Sequence, residues 1–419
     1  MSDDIPNFVR LSAAVAFFSF FGAFFLSPVL PIPAGVLFLV AALASLVCFP
    51  AALRAAFAGP DRFFRLYLLT VVGYSLFILA YAGFGMVGPE GWGVFLELTL
   101  TFTIGLAIYF HHRISAKNLL DSVVRISFLH AGLMLAVVVV QSVFIFKFSG
   151  QRVGGAINPI VFAHLMLTSA GIATVWLFLK ARTETGYRFS MALALWLAAV
   201  FLATYLTGSR GAILVFFPFV AGLAVFDVYL GKRVRLSAML YFGAIFVLMA
   251  VFFMVSDRFA LGVSELSESL GGQQNNGSVG LRIQFWQEAI RMIRENPVFG
   301  NGLRFFLEIS DAPLRNPRLA HNHAHNQFLD IWMKSGIAGV ALFVMLHGLP
   351  VWAGIRLIAS KADIALGMIL IWLSGAYLVF GLTDIFITRL GTMTIYGVYM
   401  TVLLLLADRR LNAGSGASR

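Results

Sequence analysis

Twelve apolar runs, each about long enough to cross a bilayer, constrain this chain more than any other feature. They fall at 11–29, 34–52, 64–84, 92–110, 120–146, 159–180, 189–206, 211–230, 236–256, 326–356, 363–382 and 390–407. A hydrocarbon core about 30 Å thick takes roughly 20 apolar residues per helical crossing. Backbone groups in hydrocarbon have no water to bond, so each run must close its own hydrogen bonds as a helix. Charged residues make up 12% of the chain and hydrophobic ones 60%, too few charges to cover the surface of a soluble domain. The expected fold is all-α, a polytopic bundle of about twelve transmembrane helices forming a single integral membrane domain over 1–419. The tenth run is long and is expected to begin outside the lipid. Asp3, Asp4 and Arg10 precede the first run and no convincing small-residue cleavage site follows it. It reads as a retained span, not a signal peptide.

Basic residues give the bundle its direction, because Lys and Arg concentrate in cytoplasmic connections. With the N-terminus in the cytoplasm, Arg10, Arg54, Arg62, Arg65, Arg113, Lys117, Arg125, Lys180, Arg182, Arg188, Lys232, Arg233, Arg235, Arg356, Lys361, Arg409, Arg410 and Arg419 all fall inside. The short outer connections hold Lys147, Arg152, Arg210 and Arg389. The net charge of +11 follows from this asymmetry and needs no nucleic acid as partner. The only cysteine, Cys48, lies in an apolar run, which fits a packed core thiol and excludes a disulfide within the chain. The tail from Asn412 to Arg419 reads as disordered.

One polar segment, 257–325, interrupts the apolar pattern and falls outside. It carries seven arginines and seven acidic residues. The stretch Gly271–Gly277 lacks an apolar pattern and reads as mobile. From Leu281 to Glu295, Ile283, Trp286, Ile290 and Ile293 recur near one helical face, and Pro297 and Gly300 stop the run. This predicts one amphipathic helix on the outer membrane–water boundary.

Basic residues in short outer connections run against the charge rule, so each calls for a reason. Arg210 lies in Thr207-Gly208-Ser209-Arg210-Gly211-Ala212, where a planar guanidinium fork suits phosphate oxygens. Snorkelling at a helix end is the alternative. Arg282, opening the amphipathic helix, is a second anion-clamp candidate, and Arg152 before Asn158-Pro159 a third. Lys147 is a weaker one. His321, His323 and His325 alternate, a pattern that invites metal. However, in a helix His323 would leave the face of the other two, and neither carboxylate nor cysteine completes a set nearby in the sequence. No metal and no cofactor is therefore expected. His325-Asn326 opens the tenth span, nine residues before Gly336-Ile337-Ala338-Gly339, and a neutral histidine suits general-base work near pH 7. Asp384 and Arg389, in the last outer loop, are expected to pair with each other or to line the site. Glu97 should face the bundle interior, most simply as a structural hydrogen-bond partner.

These segments resemble the O-antigen ligase and polymerase superfamily. The resemblance is carried by Arg152 to Pro159, the Thr207–Ala212 turn, Arg282-x3-Trp286 leading to Asn296-Pro297-Val298-Phe299-Gly300-Asn301-Gly302-Leu303, and His325-Asn326-x9-Gly336-x2-Gly339. It implies a glycosyltransferase C-like membrane bundle in the bacterial inner membrane with its active site facing the periplasm. The activity implied is transfer of O-antigen polysaccharide from an undecaprenyl-diphosphate-linked donor to a sugar hydroxyl of lipid A-core, among membrane lipids, without metal and with inversion. His325, Arg210 and Arg282 would be catalytic. Arg152, Asn326, Lys147, His323, Arg389 and Asp384 would bind diphosphate or glycan. One large outer loop between spans nine and ten fits the ligase branch. The polymerase branch typically has two such loops, and protein O-oligosaccharyltransferases a further C-terminal outer domain. A transporter of lipid-linked glycans, the reading of a different class, predicts charges scattered at mid-span, whereas here they collect at one face.

Overall fold

In a computed structural model, residues 5–57, 62–115, 118–147, 151–184, 187–231, 257–271, 277–304, 306, 323–386 and 391–416 are described, with a few single positions between 243 and 254. The helices are α1 (Asn7–Leu26), α2 (Pro31–Ala56), α3 (Arg62–Gly83), α4 (Pro89–Ser115), α5 (Leu119–Val140, continued by a π-helical turn, Gln141–Ile145), α6 (Pro159–Thr183) and α7 (Arg188–Leu206). After them come α8 (Arg210–Leu214), α9 (Phe216–Gly231), α10 (Asp257–Leu270), α11 (Ser278–Glu295), α12 (Gln327–Ala359), α13 (Ile364–Gly381) and α14 (Thr392–Gly416).

Among the described residues, ten helices are long and apolar enough to cross a membrane, with α8 and α9 counted together. They reproduce the first eight, the tenth and the eleventh of the apolar runs. The ninth run falls almost wholly outside the described residues. The twelfth is α14, which is buried continuously from Thr392 to Leu405 against α4, α3, α12 and α13. A helix walled by protein needs less lipid-matching apolarity than one facing acyl chains. The α4–α14 crossing is close. A Cβ on Gly105 would lie 2.6 Å from Thr401 Cβ, and one on Gly397 would lie 2.7 Å from Thr101 Oγ1. Beside this crossing, Glu97 is buried and its Oε1 accepts from Thr394 N at 3.1 Å and Thr394 Oγ1 at 2.9 Å. The carboxylate thus satisfies a donor at the start of α14, where a helix leaves N–H groups unbonded. Cys48 is fully buried, as its apolar run implied.

Two expectations are corrected and one is extended. Helix α14 continues to Gly416, so the tail is helical well past Asn412. The 257–325 segment holds the expected helix, α11, and a second one before it, α10, that the apolar pattern did not mark. The inward face of α11 is also not the expected stripe: Phe285, Ala289, Met292 and Ile293 pack with Phe306, Ala324 and Met333, while Ile290 is exposed. Helix α11 rests on α12 through this face. The Gly272–Asn276 part of the supposedly mobile stretch lies outside the described residues.

Candidate functional site

Thirty-three residues of α12 make a helix about 50 Å long at 1.5 Å per residue, more than a hydrocarbon core accepts. The 296–304 turn docks on its first part. Gly336 interrupts the helix with φ 60 and ψ −163. A Cβ there would meet Val298 O at 2.0 Å, and one on Gly300 (φ 70) would meet Lys334 O at 2.5 Å. The turn therefore docks backbone to backbone: Asn301 N donates to Met333 O (2.9 Å), Gly302 N to Lys334 O (3.0 Å) and Ile337 N to Pro297 O (3.1 Å). Gly336 and Gly300, one from each sequence motif, serve this junction, which fixes the N-terminal end of α12 and the residues just before it.

Asn326 caps that end. Its Oδ1 accepts from Phe328 N and Leu329 N at 3.0 and 3.1 Å, and its Nδ2 donates to Leu382 O at 3.2 Å. Gln327 Oε1 accepts from Phe386 N at 2.8 Å. The two side chains tie the segment after α13 to the start of α12. Asp330, paired with Lys334 at 3.0 Å, accepts from Ala324 N at 3.2 Å and so anchors the chain just ahead of His325.

His325 itself has φ 50, a left-handed conformation uncommon outside glycine and worth a functional hypothesis. This bend lets its N–H donate to His323 Nδ1 at 3.1 Å and brings the two rings to 4.1 Å. Phe285 of α11 stacks on the other side, 6.0 Å away. His325 Nδ1 lies 3.4 Å from Asp384 Oδ1, and Asp384 is 2% exposed. Asp384 thus stands beside a histidine; Arg389, the partner the sequence suggested for it, lies outside the described residues, as does His321. The absence of a nearby carboxylate held only along the sequence. In space, ligand atoms of His323, His325 and Asp384 lie within 4.8 Å of one another, a set that fits a borderline metal. Binding through His323 Nδ1 would break its hydrogen bond from His325 N.

Asp384 also forms part of the wall of a cavity of about 320 Å³. Arg152, Arg210 and Arg282 meet there, from three separate segments. Helix α7 ends at Leu206, Gly208 turns with φ 64, and Ser209 precedes Arg210 at the start of α8. Gly211 is in direct contact with Thr383, since a Cβ would fall 1.9 Å from its Oγ1, so only glycine lets α8 approach the Asp384 segment. Arg210 has a buried guanidinium nitrogen, Nη1, without a hydrogen-bond partner among the described residues. Arg152 Nε donates to Thr207 O at 2.9 Å. Burial pushes the Arg282 guanidinium below its ordinary value, as does the like charge of Arg210, against the opposing pull of Asp384 and Glu265. It stays a cation regardless, since arginine is not deprotonated in proteins. The wall thus sets three guanidinium groups beside two carboxylates, Glu265 and Asp384.

Lys147, exposed with φ 45 after the π-helical turn, is not among the lining residues. Sequence reasoning missed Glu265, buried in the same wall. The available signal was its helical spacing from Leu261 and Gly262.

Residues 193–344 match the family model described as O-antigen ligase. A Haemophilus influenzae protein described as "Uncharacterized protein" is 24% identical over 164 residues, covering 37% of this chain and 41% of its own length. The chain thus spans about two fifths of the curated relative it matches.

Proposed function

We propose, for a chain whose residues 193–344 match the O-antigen ligase family model, that it transfers a glycan from a lipid diphosphate to a sugar hydroxyl. The donor would be an undecaprenyl-diphosphate-linked O-antigen and the acceptor lipid A-core, at the periplasmic face of the bacterial inner membrane. The observation that carries this reading is the convergence of Arg152, Arg210 and Arg282 on one cavity whose wall includes Asp384, the neighbour of His325. In this reading the diphosphate occupies the cavity and the arginines neutralise the charge that grows on it as the anomeric C–O bond breaks. His325 takes the proton of the acceptor hydroxyl as the new C–O bond forms, and the lipid diphosphate leaves. Attack from the face opposite the leaving group inverts the anomeric centre. Asp384 orients the ring through Nδ1 and stabilises the imidazolium, as a carboxylate does beside a catalytic histidine. Permanent guanidinium charge does the work a divalent cation does elsewhere, so the reaction needs no metal.

Transfer with purified protein, lipid-linked glycan and lipid A-core tests the reading. Product should form in EDTA. Activity lost to EDTA and restored by a divalent cation would assign His323, His325 and Asp384 to a metal instead.

A further inference from the structure

We propose that Glu265 sets how long the cavity keeps a diphosphate, by standing as a fixed buried anion among the three arginines. The inference rests on the arginine cavity being the diphosphate site. Helix α10 lies directly on Arg210: a Cβ on Gly262 would be 2.6 Å from its Nη1. Leu261 and Glu265 share that helical face and both line the cavity. Glu265 is 6% exposed, and its Oε2 accepts from Val279 N at 2.8 Å. That bond ties α10 to the first turn of α11, one turn before Arg282, and holds the carboxylate in place.

The electrostatic consequence follows from counting charge in the wall. Three guanidinium groups stand against two carboxylates, Glu265 and Asp384. Both oppose the arginines, but Asp384 also stands 3.4 Å from His325, so Glu265 is the carboxylate whose charge can be removed without touching the histidine. A transferase gains from charge stabilisation in the transition state and loses when the product is held as tightly, and product release commonly limits turnover. A buried anion in the wall weakens the grip on the departing diphosphate without removing any of the donors that reach it.

Glu265→Gln separates charge from scaffold, because the amide oxygen can still accept from Val279 N. Inorganic diphosphate serves as the probe, with Kd read by calorimetry on the purified full chain in detergent. Glu268→Gln, an exposed site on the same helix, removes the same charge as a control. The expected result is diphosphate bound about tenfold tighter by Glu265→Gln, the order of effect of one charge at partly buried distances. Multiple-turnover transfer should fall while single-turnover transfer is kept, and Glu268→Gln should match the wild type. Equal or weaker binding by Glu265→Gln, or the same tightening in Glu268→Gln, would overturn the inference and leave the clamp standing. A wild-type chain that binds no diphosphate would remove the clamp reading, and this inference with it.

Discussion

Lysine at position 210 would keep the charge and lose the fork. Arg210 has a buried Nη1 without a hydrogen-bond partner among the described residues, and in the proposed reaction that nitrogen bonds a phosphate oxygen. A hydrogen bond to a charged group contributes about 1.5–3 kcal/mol, so Arg210→Lys should slow transfer roughly ten- to hundredfold in the purified system. Full activity would make the residue a snorkelling arginine. His325→Ala makes the complementary prediction. Loss of a general base costs about 10²–10⁴-fold, and a base acts on the acceptor. Single-turnover transfer should collapse while donor binding stays near wild type. Asp384→Asn should fall between, since it keeps the shape beside Nδ1 and loses the charge that steadies the imidazolium. His325→Ala at wild-type rate would leave Asp384 as the next candidate base.

At the scale of elements, the decisive contact is the crossing of the 296–304 turn over α12. Gly336→Ala places a Cβ where Val298 O already sits, at a φ that L residues rarely adopt. Strain of this kind costs about 1–3 kcal/mol. Thermal melting in detergent should fall, and transfer should fall further than melting does, because the junction holds the His325 end of α12. Unchanged melting would mean that the turn does not rest on Gly336. Between α4 and α14, Glu97→Ala would leave a buried N–H of Thr394 without its partner, a loss of about 1–3 kcal/mol. Glu97→Gln retains an acceptor and should be milder in the same melting experiment.

For the whole molecule, the cavity residues come from α10, the starts of α8 and α11, the connection before α6 and the segment after α13, all at one end of the bundle. The Lys and Arg asymmetry predicts that this end faces the periplasm. A single cysteine at Gly272, in a chain carrying Cys48→Ala, should react with an impermeant thiol reagent supplied from outside the inner membrane. Labelling solely from the cytoplasmic side would invert the orientation and remove access to outer-leaflet substrates.

The apolar runs by themselves determined a helical membrane bundle, since a backbone in hydrocarbon has few ways to satisfy its hydrogen bonds. The charge pattern also marked Arg152 and Arg210, because an arginine in a short outer connection stands out against the charge rule, and Arg282 stood out as the residue opening the amphipathic segment. What the chain could not disclose along its length were relations set by packing. Asp384 is near His325 because Asn326 and Gln327 clamp the segment after α13 to α12. Helix α11 turns Phe285, not Trp286, fully inward because α12 provides the surface it rests on. Glu265 joined the site only when Gly262 let α10 settle against Arg210. Periodicity is local and survives in sequence, whereas a cavity is built where distant segments meet, and only the tertiary structure decides which segments those are.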